Sequence, residues 1–201
     1  MRPMSPVAAH APGRARQIMF RHAVILCLVA TLPFVGAAAP TSRPTDLSEK
    51  VAAYCERHKG EQVDNGECAR LALLALEAAG AKKRGKDNPN AGDYVWGKQI
   101  FLIEAAGDDQ PPKTQGDVAD IRRGDIIQFR DAKLVRHVPG GRVTNRMTQH
   151  TAIVASIDGD TIHTLEQNVS GNRTVQECAY NLSGLKAGWL RFYRPLPAAA
   201  K

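Results

Sequence analysis

Asp64-Asn65-Gly66-Glu67-Cys68-Ala69-Arg70-Leu71-Ala72-Leu73-Leu74-Ala75-Leu76-Glu77-Ala78-Ala79-Gly80 reads as a helix with both ends marked. Asp64 or Asn65 can cap its start, Glu67 stands at capping-box spacing from Asp64, and Gly80 stops it. Upstream, Leu47, Val51, Tyr54 and Cys55 recur at helical spacing, with Ser48 or Asp46 available as the cap. Downstream, from Gly124, the period changes to two. Asp125–Phe129, Thr151–Ile157, Thr161–Glu166, Thr174–Tyr180 and Trp189–Tyr193 read as strands. Gly140-Gly141, Asp158-Gly159 and Ser170-Gly171-Asn172 are turn signals. Helices first and a strand meander after predict an α+β domain with an antiparallel sheet. Residues 81–93 read as a basic loop, Tyr94-Val95-Trp96-Gly97 opens a further ordered piece, and 107–124 reads as another loop.

The chain has 201 residues and a net charge of +7. That charge is unevenly placed. Residues 1–39 hold Arg2, Arg14, Arg16 and Arg21 and no acid, and without them 23 basic face 20 acidic residues. The remaining excess argues against a nucleic-acid partner. Arg21 and His22 precede an apolar run, Ala23 to Val35, followed by Gly36-Ala37-Ala38-Ala39. This is the pattern of a secretory signal peptide over residues 1–39, cleaved near Ala37 or Ala38. The run is too short to span a bilayer, so no stable membrane insertion is expected after cleavage. Met19 could start a complete signal by itself. Residues 40–46 form a short tether, and the catalytic domain is placed at 47–197. Localisation is therefore expected to be secreted or periplasmic, as a monomer.

Cys68 falls in the first turn of the marked helix, where unpaired N–H groups and the helix dipole favour an anion. The competing reading of such a residue is a small buried cysteine on an Ala/Leu helix. His150 opens the strand His150-Thr151-Ala152-Ile153-Val154, at the rim of the sheet. Glu166 and Asn168 close the next strand, and either could accept a hydrogen bond from the His150 ring. An even turn at Asp158-Gly159 would turn Glu166 to the sheet face opposite His150. An odd turn or a one-residue bulge would put His150, Glu166 and Asn168 on one face. That face carries Ala152, Val154 and Ile162, which would suit an Ala-rich helix. Asp64, Glu67 and Asp87 do not match a calcium loop, and neither cofactor nor metal is expected.

Asn65-Gly66-Glu67-Cys68, Gly124-Asp125-Ile126-Ile127-Gln128-Phe129, Gln149-His150-Thr151-Ala152-Ile153-Val154 and Leu165-Glu166-Gln167-Asn168, in that order, resemble the CHAP family. These are the cysteine, histidine-dependent amidohydrolases/peptidases of the papain-like superfamily. The resemblance covers residues 47–195. It implies a papain-like fold, Cys68 as nucleophile, His150 as base, Glu166 as orienter and Asn168 as a further polar partner. It also implies an amide bond of peptidoglycan or a related peptide as substrate. Two departures concern the substrate: Glu67 stands where many members carry Gln, and the stretch from Phe129 to His150 is long and basic. With Cys68 as nucleophile, Cys55 and Cys178 remain, and export predicts a disulfide between them. The alternative function is an inactive secreted module that binds a cell-envelope ligand or a partner protein.

Overall fold

The computed structural model describes residues 46–88, 93–107 and 110–199. The signal-peptide reading over 1–39 and nearly all of the tether lie outside these residues. Helix α1 spans Leu47–Arg57; the Asp46 carboxylate accepts the Ser48 N–H at 3.2 Å, so Asp46 is the cap. Ser48 is used elsewhere, its hydroxyl donating to Asp125 at 3.5 Å. Helix α2 spans Cys68–Ala79 and ends at Gly80, in the left-handed region at φ 71°. It begins later than the predicted cap at Asp64 or Asn65. Asp64 (φ 53°) and Gly66 (φ 79°) are left-handed, a conformation that cannot continue into a right-handed helix. The Asn65 side chain instead accepts the Glu67 N–H at 3.1 Å and shapes the approach. Cys68 is thereby the first helical residue.

The seven-stranded antiparallel sheet comprises β3 (Lys98–Glu104), β4 (Lys113–Gln115), β5 (Ile126–Val138), β6 (Gly141–Asp158), β7 (Thr161–Glu166), β8 (Gln176–Asn181) and β9 (Leu185–Arg194), in the order β4-β3-β9-β5-β6-β7-β8. In a two-stranded ribbon, β1 (Gly85–Asn88) falls in the stretch read as a basic loop, while β2 (Asp93–Val95) runs into the ordered piece expected from Tyr94. β3 and β4 were not legible: Lys98–Glu104 lacks clean alternation, and β4 is three residues long and exposed. β5 and β6 run far beyond the expected Phe129 and Thr151. What read as a long loop is a continuous hairpin turning between Val138 and Gly141.

The sheet separates two cores. On one face α1 and α2 bury Val51, Cys55, Leu71, Ala72, Ala75 and Leu76 against Ile126, Ile153 and Leu165. Leu71 and Leu76 are fully buried, each worth roughly 1.5–3 kcal/mol. On the other face Ile127, Phe129, Ala152, Val154, Ile162, Tyr180 and Phe192 form the second core. Ala152, Val154 and Ile162 therefore do not receive α2. Alternation gives the helices the odd-numbered residues Ile153 and Leu165 instead.

The same partition overturns the disulfide. Cys55, Cys68 and Cys178 are all free thiols. Cys55 belongs to the helix-side core and Cys178 packs against the other, so the sheet lies between them.

Two registers place the site. β6 and β7 pair as Asp158–Thr161 and Ser156–His163, then shift to Val154–Thr164 and Ile153–Leu165. A two-residue turn is thus followed by a one-residue bulge at Ala155, which changes the facing of everything beyond it. At the start of β5, Gly124 has φ 82°, and a Cβ there would lie 1.7 Å from the Ser48 carbonyl oxygen. Asp125 follows, fully buried, accepting the Arg122 N–H at 2.8 Å and pairing with Arg194 at 3.0 Å. This corner joins α1, β5 and the end of β9. Gly124→Ala is expected to destabilise the protein by at least about 2 kcal/mol, from left-handed strain and the clash together. A lowered urea midpoint with unchanged slope is the check.

Candidate active site

Cys68 stands at the start of α2 because the loop before it is held by β7's exit. Gln167, fully buried, accepts the Val63 N–H at 3.2 Å and donates to the carbonyls of Val63 (3.0 Å) and Glu67 (2.9 Å). Asn168, left-handed at φ 63°, donates to the Glu67 carboxylate at 2.8 Å, and Arg173 pairs with the other oxygen of that group at 2.9 Å. The side chain of the residue just before the cysteine is thus clamped between two partners from the β7–β8 connection.

His150 is placed by the Gly124–Phe129 segment. Gln128 donates to the His150 carbonyl at 3.2 Å, and its own oxygen accepts from Trp96 (3.0 Å) and Thr151 (3.3 Å). Phe129 lies beside the imidazole with ring centroids 5.7 Å apart. The β6–β7 ladder ends at Ile153–Leu165. Past that point the Thr151 amide donates to the Cys68 sulfur. Here, where β7 leaves β6, the start of α2 meets the strand.

Three of the four expected residues come together. Cys68 is hydrogen-bonded to His150, and His150 Nε2 is hydrogen-bonded to Glu166 Oε2. With Nε2 so engaged, Nδ1 is the ring nitrogen left to face the thiol. Glu166 is fully buried, and its Oε1 accepts from Thr164 and from the Tyr180 hydroxyl, both at 2.8 Å. The Cys178 thiol donates to the same carboxylate. Asn168 is not a partner of the His150 ring; its amide serves Glu67. The sequence reading gives no site role to Thr164 or Tyr180, and places Cys178 only in a disulfide with Cys55. Alternation along β7 places Thr164 on Glu166's side, but only the β7–β8 register, with Ile162 opposite Tyr180, brings the phenol in.

The electrostatics follow from this chain of contacts. Burial alone would raise the Cys68 thiol. The hydrogen bond and charge of His150, with the Thr151 and Ala69 amides, outweigh it and hold the pKa below the ordinary thiol value. Burial would lower the imidazole, but the bonds to Cys68 and Glu166 raise it to about 9. Burial would likewise raise Glu166, and the His150 contact wins, keeping it ionised. The contacts thus favour a thiolate on Cys68 beside an imidazolium on His150, over a buried carboxylate. By contrast burial pushes Cys55 to about 12, and burial with the neighbouring Glu166 charge pushes Cys178 to about 12. An open cleft of about 350 Å³ exposes the pair, lined by Glu67, Cys68, Arg84, Tyr94, Gln149 and His150 among others. Among the described residues no three His, Cys, Asp or Glu side chains group as a metal site.

A family model described as the AIM3/BBC1 cysteine proteinase-fold domain matches residues 42–200. Altered inheritance of mitochondria protein 3 of Debaryomyces hansenii is 29% identical over 158 residues, covering 76% of this chain and 16% of that protein. The chain thus spans about a sixth of the length of the curated relative it matches. Among solved structures, the crystal structure of Ly7917 with the hydrolyzing product of MDP aligns at TM-score 0.43 and 18% identity. That alignment covers 74% of this chain and 62% of the other. A second Ly7917 structure aligns at TM-score 0.41 and 17% identity, with the same coverage.

The paired shifts define a pH window. The thiolate–imidazolium form exists above the lowered Cys68 pKa and is lost as pH rises through the His150 value of about 9. Cys68 is expected to react with iodoacetamide well below the pH at which free thiols do, while Cys55 and Cys178 stay unlabelled. Glu166→Gln removes the charge that raises His150, and the weaker imidazolium in turn releases Cys68 upward. The window should narrow from both sides, read as the pH profile of mass-mapped alkylation.

Proposed function

The chain belongs to the AIM3/BBC1 cysteine proteinase-fold domain family, and from that premise we propose that it is a cysteine hydrolase cleaving an amide bond. The match supports the α+β, papain-like cysteine proteinase fold that the CHAP resemblance implied; membership in CHAP itself has no support from it. The observation that carries the reading is the hydrogen-bonded series Cys68–His150–Glu166, with its lowered thiol and raised imidazole. A purely structural cysteine has no use for a charged histidine partner.

In the proposed reaction the Cys68 thiolate attacks the carbonyl carbon of the substrate, and the carbonyl electrons move to oxygen. In this scheme Cys68's own N–H, at the start of α2, stabilises that oxyanion. The His150 imidazolium gives its proton to the leaving nitrogen as the C–N bond breaks, leaving a thioester on Cys68 and a neutral imidazole. Water then loses a proton to His150 and attacks the thioester, and the acid leaves as the thiolate and imidazolium are restored. Glu166 keeps the ring oriented and its charge compensated throughout. Asn168 takes no part in this scheme except through Glu67.

The substrate is an exposed peptide or peptide-like amide that reaches an open cleft. Peptidoglycan, the target implied by the CHAP resemblance, is one such polymer. Secretion, read from residues 1–39, would bring the enzyme to it. Neither has support from the family match or from the relative, whose printed name concerns mitochondrial inheritance.

The test is hydrolysis of peptide libraries and of purified peptidoglycan, with mass spectrometry of the protein at early times. A thioester adduct on Cys68 is expected. Cys68→Ala should abolish turnover, and His150→Ala should lower kcat by roughly 10³-fold or more. A protein that binds ligands equally well with Cys68→Ala and never forms an adduct would be a binding module instead.

A further inference from the structure

The excess positive charge of the chain beyond residue 39 has a definite location. Residues 131–149 hold Lys133, Arg136, Arg142 and Arg146 against the single acid Asp131. That local excess equals the whole excess of 23 basic over 20 acidic residues beyond residue 39, so the rest of that region is neutral in sum. These residues form the outer part of the β5–β6 hairpin. The register sets Lys133 directly opposite Arg146. Like charges facing across a strand pair are destabilising. Arg136, Arg142 and Arg146 are exposed, and among the described residues none of them pairs with a carboxylate.

The hairpin leads into the active site. A hollow of about 390 Å³ is lined by Thr144, Arg146, Thr148, His150, Asn168 and Tyr180 among others, with no Asp or Glu. It shares Gln149, His150 and Asn168 with the cleft that holds Cys68, so the two hollows meet at His150. On the Cys68 side the charges are nearly balanced. Glu67 is paired with Arg173, and Arg70 with Asp64. Arg84 is the exception. Its guanidinium lies 3.6 Å from the centre of the Tyr94 ring, and no described carboxylate meets it. Stacking fixes the plane of the group and leaves its N–H edge available for a carboxylate.

We propose that this groove takes acidic peptides, with Arg84 reading a carboxylate on the Cys68 side of the target bond and Arg146, backed by the hairpin, reading one on the His150 side. The proposal rests on the hydrolase reading for its chemistry, but binding can be measured without turnover. Full-length Cys68→Ala protein is titrated into fluorescein-labelled octapeptides that carry Glu, Gln or Lys at the flanking positions. Fluorescence anisotropy is followed at low and physiological salt. The Glu peptide should bind at least tenfold more tightly than the Gln peptide, and the Lys peptide most weakly. Arg84→Gln and Arg146→Gln should each reduce the advantage of Glu three- to tenfold. Equal affinity for the Glu and Gln peptides overturns the proposal. So does an advantage untouched by either substitution, or equal binding of an oligonucleotide of matched charge, which marks a general polyanion surface. Acidic preference in a protein that never hydrolyses any peptide would sink the hydrolase reading and leave this one standing. Hydrolysis indifferent to acidic residues would do the reverse.

Discussion

A carboxylate with no access to water organises this molecule. Glu166 is fully buried at the end of β7, and an ionised group there persists only if donors replace the lost solvent. It has them from three strands: His150 on β6, Thr164 on its own strand, and Tyr180 and Cys178 on β8. The burial that makes the carboxylate costly also leaves its field little screened, so it holds the adjacent imidazole in the charged form. The charged imidazole in turn lowers the thiol. Reactivity at the surface of the cleft is thus set by a group that the cleft never exposes.

The rest of the fold brings a helix start to that imidazole. The helices occupy one face of the sheet, while Phe129 and Tyr180, which surround His150 and Glu166, belong to the core on the other. Cys68 reaches His150 only where β7 parts from β6 and the strand edge opens. Gln167 and Asn168, the residues on which β7 departs, are the ones that grip the loop in front of α2. The departure that opens the edge and the clamp that fills it are therefore a single feature of the chain.

Much of this was legible from residues alone, and the exceptions have physical causes. Gly80 and the Ala/Leu periodicity mark α2, and the β-branched run of Thr161, Ile162 and Thr164 after a turn marks β7 with its observed bounds. The start of α2 was misplaced because two left-handed residues, Asp64 and Gly66, depend on tertiary contacts that local capping patterns do not contain. The turn at Asp158-Gly159 left the facing of Glu166 open, since a one-residue bulge is invisible in sequence. Asn168 has the same composition whether it serves His150 or Glu67, and a register decides between them. Cysteine arithmetic suggested Cys55 with Cys178, but counting carries no information about which face of a sheet each occupies. The basic stretch after Phe129 shows in the sequence only as charge. Its organisation as paired strands could be read only from the ladder.

The position of Tyr180 has a consequence for the chain as it is made. Cys68 emerges from synthesis about a hundred residues before the strand that carries Tyr180 and Cys178. At roughly 5–20 residues per second, that interval is several seconds to some tens of seconds. Until β8 docks, Glu166 lacks the Tyr180 and Cys178 donors that complete its surroundings. On the proposed hydrolase reading, the thiol gains its full set of activating contacts only as the chain's own amides are withdrawn into the sheet.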